Sequence, residues 1–129
     1  MTDNSKNAIN IIAESIKIWL ISGDIDTNIL SVDFIFESPF WKRATRSEFT
    51  NQFSDPTTYK DTALSKIKKF DPVVITISDD KQCFNIFLTY HTLNGCSVNE
   101  CVFGRVLNGK LVNLISVYDL EETKRALAL

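Results

Sequence analysis

The chain is 129 residues long, the length of one domain on the usual scale of roughly 100–200 residues. Hydrophobic residues make up 44% of it and charged ones 23%, which excludes disordered, collagen-like and coiled-coil compositions. A net charge of −2 leaves no basic excess of the kind a nucleic-acid surface needs, so nucleic acid is not an expected partner.

The first element predicted is a helix from Lys6 to Ile21. Ile9, Ile12, Ala13, Ile16, Trp19 and Leu20 recur at three- and four-residue steps and form one apolar stripe. Ser22-Gly23-Asp24 ends it, with the glycine suited to left-handed backbone. Asp24 or Asp26 then caps a short helix reaching Leu30. Val32–Ser38 reads as a strand in which Val32, Phe34 and Phe36 alternate with Asp33, Ile35 and Glu37, and Pro39 stops it. Thr45-Arg46-Ser47-Glu48 is a capping-box pattern, so a helix opens there with Phe49 and Phe53 on one side. Asp55-Pro56 predicts a second short helix around Thr57–Asp61. Pro72 places an edge or a bulge after the ambiguous segment Leu64–Phe70.

The remainder reads as β: Val73–Ser78, Gln82–Leu93, Cys96–Leu107 and Lys110–Asp119, then a helical tail at Glu121–Leu127. Asn94-Gly95 and Asn108-Gly109 each stand between hydrophobic runs, the strongest short hairpin signal, because a type I′ turn needs positive φ at both central residues. Two-residue loops at both would set the register. Tyr90, Asn99 and Tyr118 then share a row on one face, as do Leu88, Cys101 and Ser116, and Ile86, Phe103 and Leu114. The opposite face carries His91 with Val98 and Asp119, Thr89 with Glu100 and Val117, and Phe87 with Val102 and Ile115. The first face should meet the helices. The second is half apolar, which suits a homodimer through the outer sheet face.

Cys83, Cys96 and Cys101 are an odd number of cysteines, awkward for a secreted disulfide framework. The first residues show no leader pattern, and no apolar run approaches the ~20 residues that cross a bilayer. A cytoplasmic protein without a membrane partner is the expectation.

Helix, short helix, a strand ending Phe36-Glu37-Ser38-Pro39, an aromatic-rich helical connection and a final curved sheet follow in order. With Trp19-Leu20-Ile21-Ser22-Gly23-Asp24, Phe34-Ile35-Phe36-Glu37-Ser38-Pro39 and Leu107-Asn108-Gly109-Lys110-Leu111-Val112, this order resembles the nuclear transport factor 2-like superfamily. Within it, the SnoaL-like and ketosteroid isomerase-like proteins are the nearest likeness, over nearly the whole chain. The resemblance implies one α+β domain over residues 1–129: a cone-shaped curved antiparallel sheet packed against N-terminal helices, with a pocket at its wide end and a homodimer through its outer face. Ketosteroid isomerases use a carboxylate base, a helix tyrosine and a protonated sheet aspartate. Laid on this chain, those positions fall at Ser38, Ile16 and Cys101, none of which can fill its role, so that mechanism is disfavoured.

The candidate ligand-binding residues are Ile16, Trp19, Phe34, Phe36, Ser38, Trp41, Phe49, Phe53, Tyr90, Asn99, Cys101 and Tyr118. Rings would supply contact area, and Tyr90, Asn99 and Tyr118 polar handles for a small apolar or aromatic molecule. Tyr90, Tyr118 and His91, the one histidine, are the candidates for proton transfer, though His91 on an outer face reads better as a surface or dimer-interface residue. His91, Cys96 and Cys101 lack the paired spacing of a metal site, and no cofactor motif is present. Two functions stay open: a small-molecule-binding protein, with isomerase, cyclase or dehydratase chemistry if an enzyme, and a non-catalytic interaction module whose cone is filled by its own rings.

Overall fold

The computed structural model describes residues 4–53 and 60–129, with side chains from residue 8 onward. Helix α1 (Asn4–Ser22) buries the predicted stripe from Ile9 to Leu20. Gly23 ends it at φ +84°, its N–H bonded to the Trp19 carbonyl at 2.8 Å, as left-handed glycine caps do. Asp26 caps a 3-10 turn at Thr27–Ile29, accepting from the Asn28 N–H at 3.0 Å.

Strand β1 (Leu30–Ser38) turns Phe34, Phe36 and Ser38 inward. Val32, expected on that same side, is exposed, because the β1 register against its neighbour shifts between Leu30 and Ile35. Where a helical connection was expected, a short strand β2 (Lys42–Thr45) folds back on β1. Ser38 pairs with Lys42, so Pro39, Phe40 and Trp41 form the turn, and Lys42 takes φ +63°. Helix α2 (Arg46–Phe53) opens on the predicted capping box: the Thr45 N–H donates to Glu48 Oε1 at 2.9 Å, and the Glu48 N–H to Thr45 Oγ1 at 3.3 Å. The Asp55-Pro56 cap and most of the helix predicted at Thr57–Asp61 lie outside the described residues.

Strands β3 (Ile67–Phe70) and β4 (Val74–Ile77) both pair with β5 (Cys83–Thr92). Pro72 sits in the break between them, where a residue without an N–H costs no ladder bond. Strands β6 (Ser97–Leu107) and β7 (Lys110–Val117) complete a sheet ordered β2-β1-β7-β6-β5-β3. Helix α3 (Leu120–Leu127) follows, N-capped by Asp119, which accepts from the Glu122 N–H at 2.8 Å. The sheet is mixed rather than antiparallel throughout, because β1 runs parallel to β7. The long chain between these strands lets them meet in either direction, a freedom that hairpin neighbours lack.

The two Asn-Gly turns differ. Leu107 pairs with Lys110 across Asn108 (φ +52°) and Gly109 (φ +75°), the predicted two-residue turn. At the other, the Thr92 N–H reaches the Cys96 carbonyl at 2.9 Å, so Leu93, Asn94 and Gly95 form a three-residue loop with left-handed Gly95 at its end. The Thr92 hydroxyl draws this loop in, donating to the Asn94 side chain and accepting from the Cys96 N–H at 3.1 Å. The Asn94 amide donates to the Arg125 carbonyl at the end of α3, 3.2 Å away.

One extra loop residue turns β6 over, since side chains alternate with period two. Tyr90 faces Val98 rather than Asn99, Leu88 faces Glu100 rather than Cys101, and Ile86 faces Val102 rather than Phe103. A bulge between Arg105 and Val106 then shifts β7 by one in turn, so Val102 meets Ser116. The two shifts cancel between β5 and β7. Tyr90, Leu88, Ile86, Ser116 and Tyr118 keep the predicted face, and β6 alone is inverted.

Candidate functional site

Between α1, α2, α3 and the concave face of the sheet lies a cavity of about 300 Å3. Its dry side is a ring cluster. Trp19 meets Phe36 and Phe53 edge-on at 6.2 and 5.1 Å between centroids, and Trp41 stacks on Phe53 at 5.8 Å. Such rings bury large area with few rotors and hold their shape when unoccupied. Phe49, fully buried behind them, touches Trp19, Phe34, Phe36 and Phe53.

The polar side comes from the sheet. Ser38 ends β1 with its hydroxyl accepting the Trp41 N–H at 3.0 Å, which holds the β1–β2 turn and its ring against the cavity. Ser116 on β7 donates to Glu100 Oε2, the one hydrogen bond of the Glu100 side chain among the described residues. Extending the ladder one step places Glu100 opposite Tyr118. Desolvation raises the Glu100 carboxyl above the ordinary range, and the Ser116 hydroxyl opposes this only in part. Both phenols are raised as well, chiefly by burial and then by the nearby Glu100 charge. Thr123 on α3 lies beside Tyr90, and Ser38 and the Phe40 main chain lie beside Tyr118, where each holds its phenol somewhat lower. A carboxyl group that holds its proton more tightly than a solvated one is better suited to donate it into an aromatic cavity and take it back.

Of the residues singled out from sequence, Trp19, Phe36, Ser38, Trp41, Phe53, Tyr90 and Tyr118 line the cavity. Ile16, Phe34 and Phe49 lie behind its wall as fully buried core. Asn99 and Cys101 are on the convex face, turned there by the loop at Leu93–Gly95; the Cys101 thiol sits 3.2 Å from Asn85 Oδ1. The inward residue beside them is Glu100, expected on the outer face from a two-residue turn. So the sheet-acid position suggested by the isomerase likeness, assigned to Cys101, has a carboxyl group one residue earlier.

His91 stands on the convex face too, paired with Asp71 rather than Asp119: Nε2 lies 2.9 Å from Asp71 Oδ1 and Nδ1 2.8 Å from Ser97 Oγ. These bonds clamp β5 to its neighbours on either side, away from the cavity. Among the described residues no cluster of His, Cys, Asp and Glu is placed to hold a metal ion, and no helix is long and apolar enough to cross a membrane.

Glu100 and the inner face of α3 escaped the sequence reading, though both left a signal. Val98, Glu100, Val102, Gly104 and Val106 form the more apolar half of β6, against Ser97, Asn99, Cys101, Phe103 and Arg105. That pattern is a signal for the valines, and Glu100 with them, facing inward, but it conflicts with the register that a two-residue turn at Asn94-Gly95 gives. In α3, Leu120, Thr123, Lys124 and Leu127 follow the one-face helical spacing, and all line the cavity.

No family profile matches the sequence, and no curated protein is detectably similar to it. Solved structures are similar in shape. A candidate polyketide cyclase from Xanthomonas campestris superposes with TM-score 0.66 at 16% identity, over 95% of this chain and 98% of its own. An NTF2-like protein from Anabaena variabilis gives TM-score 0.64 at 14% identity, over 95% of each chain. An epoxide hydrolase/cyclase-like enzyme of pyran ring formation in the polyether salinomycin gives 0.62 at 14% identity, over 91% of this chain and 94% of its own. With its helices inside a curved mixed sheet, and with these neighbours matched along nearly their whole length, the chain has the nuclear transport factor 2-like fold.

Proposed function

We propose that this protein binds a compact, largely apolar molecule in the cavity and moves a proton on it, in an isomerisation, cyclisation or dehydration. The observation that carries this reading is Glu100, a desolvated carboxyl on the wall of an otherwise aromatic cavity. Perturbed carboxyl groups in clefts mark acid–base sites, and a value raised toward neutrality suits proton transfer at physiological pH. Glu100 acts as the acid–base group, Ser116 fixes one of its oxygens, and the Tyr118 and Tyr90 hydroxyls orient an oxygen atom of the ligand. The fold neighbours described as a candidate cyclase and an epoxide cyclase-like enzyme support this class of chemistry. A volume of about 300 Å3 is at the lower end of ordinary ligand sites, and it favours a ligand over a cone filled by its own rings.

The test is a panel of β,γ-unsaturated ketones and epoxy alcohols, with turnover followed alongside binding. Binding is read from intrinsic fluorescence, because both tryptophans line the cavity. Glu100→Gln should bind as the wild type does and lose turnover by about 10²–10⁴-fold, the usual range for a general acid or base. Equal turnover in the variant, or no apolar ligand bound by the wild type, overturns the reading. We further propose that a second copy of the chain covers the convex face, where Val74, Phe87, Phe103 and Val117 are exposed around Cys101 and Ile115.

A further inference from the structure

Lys124 is the only basic residue on the cavity wall among the described residues, and Glu100 is the only acidic one. Lys124 belongs to the inward stripe of α3 and is partly buried. No carboxylate of the described residues lies within ion-pair distance of it; the ion pairs are Glu14 with Lys17, Asp24 with Lys60, and Asp71 with His91. Nor is its charge engaged in capping α3. That task falls to Lys66, whose Nζ donates to the Leu127 carbonyl at 2.6 Å, and to the main chain of Ala128 and Leu129.

The Lys124 ammonium therefore stands on the cavity wall without an ion-pair partner among the described residues. Glu100 is not its partner: that carboxyl is bonded by Ser116, and desolvation opposes its ionisation. A neutral ligand would leave that cation without a counter-charge at a partly desolvated rim, whereas an anion would gain a charge-assisted hydrogen bond there. The polar groups are also arranged in sequence. Thr123, next to Lys124, lies beside Tyr90 and lines the same cavity, so the α3 rim adjoins the phenols and Glu100, with the rings of Trp19, Phe36, Trp41 and Phe53 enclosing the rest.

Building on the ligand-binding reading above, we propose that the ligand is a monoanionic acid, a compact aromatic or alicyclic body bearing one carboxylate that meets Lys124 at the α3 rim. Its apolar body lies among the rings, and the atoms that react lie between the charged end and Glu100. The cavity thereby discriminates by charge as well as by shape, rejecting the corresponding amine.

Three probes of one shape test this: 3-phenylpropionate, 3-phenylpropanol and 3-phenylpropylamine, each titrated against tryptophan fluorescence at low and high salt. The carboxylate should bind about fivefold more tightly than the alcohol, the span of a partly exposed ion pair, and the amine most weakly. Lys124→Gln should bring carboxylate and alcohol to the same affinity. Lys124→Arg should keep the preference, and added salt should shrink it in the wild type. Equal binding of all three probes, or a carboxylate preference that survives Lys124→Gln, overturns the charge assignment and leaves the ligand-binding reading standing. Failure of all three to bind overturns both. Melting temperatures of the two variants show that each is folded before its affinities are compared.

Discussion

Glu100 couples the cavity to pH. Its carboxyl value is raised in the folded protein by desolvation, so the folded state holds the proton more tightly than the unfolded chain does. The sign follows from linkage: this stabilising contribution is fully present below the unfolded value of 4.5 and is lost as pH rises through the folded one. Glu100→Gln, which cannot ionise, escapes the loss. Thermal melts between pH 4 and pH 9 should show the variant gaining on the wild type as pH rises; parallel curves would mean that Glu100 is solvated. The residue also shows how much of the site a sequence carries. The ring wall was legible because large apolar residues on helical and alternating spacings have few places to go. Glu100 was not, because a lone acid inside a strand reads as a solvated charge unless the strand is known to face inward.

Among the elements, β6 depends on a close approach of backbone and ring. Gly104 pairs with Phe84, and a Cβ at Gly104 would come within 2.2 Å of the Phe84 ring, itself almost fully buried. Gly104→Ala must therefore displace an aromatic side chain from the core. It should cost about 1–3 kcal/mol, the usual range for overpacking, measured as a fall in denaturation midpoint at unchanged slope. Ala tolerated without loss would show that Phe84 can swing aside. The two hairpins make a related point about local signals. Asn108-Gly109 takes the turn its dipeptide favours. Asn94-Gly95 does not, because the Thr92 hydroxyl and the Arg125 carbonyl offer Asn94 hydrogen bonds that a two-residue turn would forgo. Tertiary partners outweighed a local preference, and β6 inverted as a result. Strand β2 was overlooked for a different reason: four residues with only Ala44 buried carry no periodicity to detect.

At the scale of the whole molecule, the sheet divides two tasks between its faces. The concave face closes over the rings and the cavity, and the convex face leaves apolar side chains exposed across β4, β5, β6 and β7. If a second copy covers that face, sedimentation of the wild type should give twice the chain mass, and Phe103→Asp should give the single-chain mass with an unchanged fold by circular dichroism. A wild-type monomer at all accessible concentrations would sink the dimer. Phe103 serves for this test because it replaces Val102, the residue expected there, once β6 is turned over.

The amino-acid order by itself determined most of the elements, though not β2: the α1 stripe, the capping box of α2, the break at Pro72, and the inward rings of β1. These depend on contacts within a few residues, and local spacing records them. Which face of β6 meets the helices was decided only in the folded molecule, by a loop residue held through long-range hydrogen bonds and a bulge that restored the neighbouring strand. Parity along a strand is a property of its pairing, and a shift of one residue moved a carboxyl group from the outside of the sheet into its cavity.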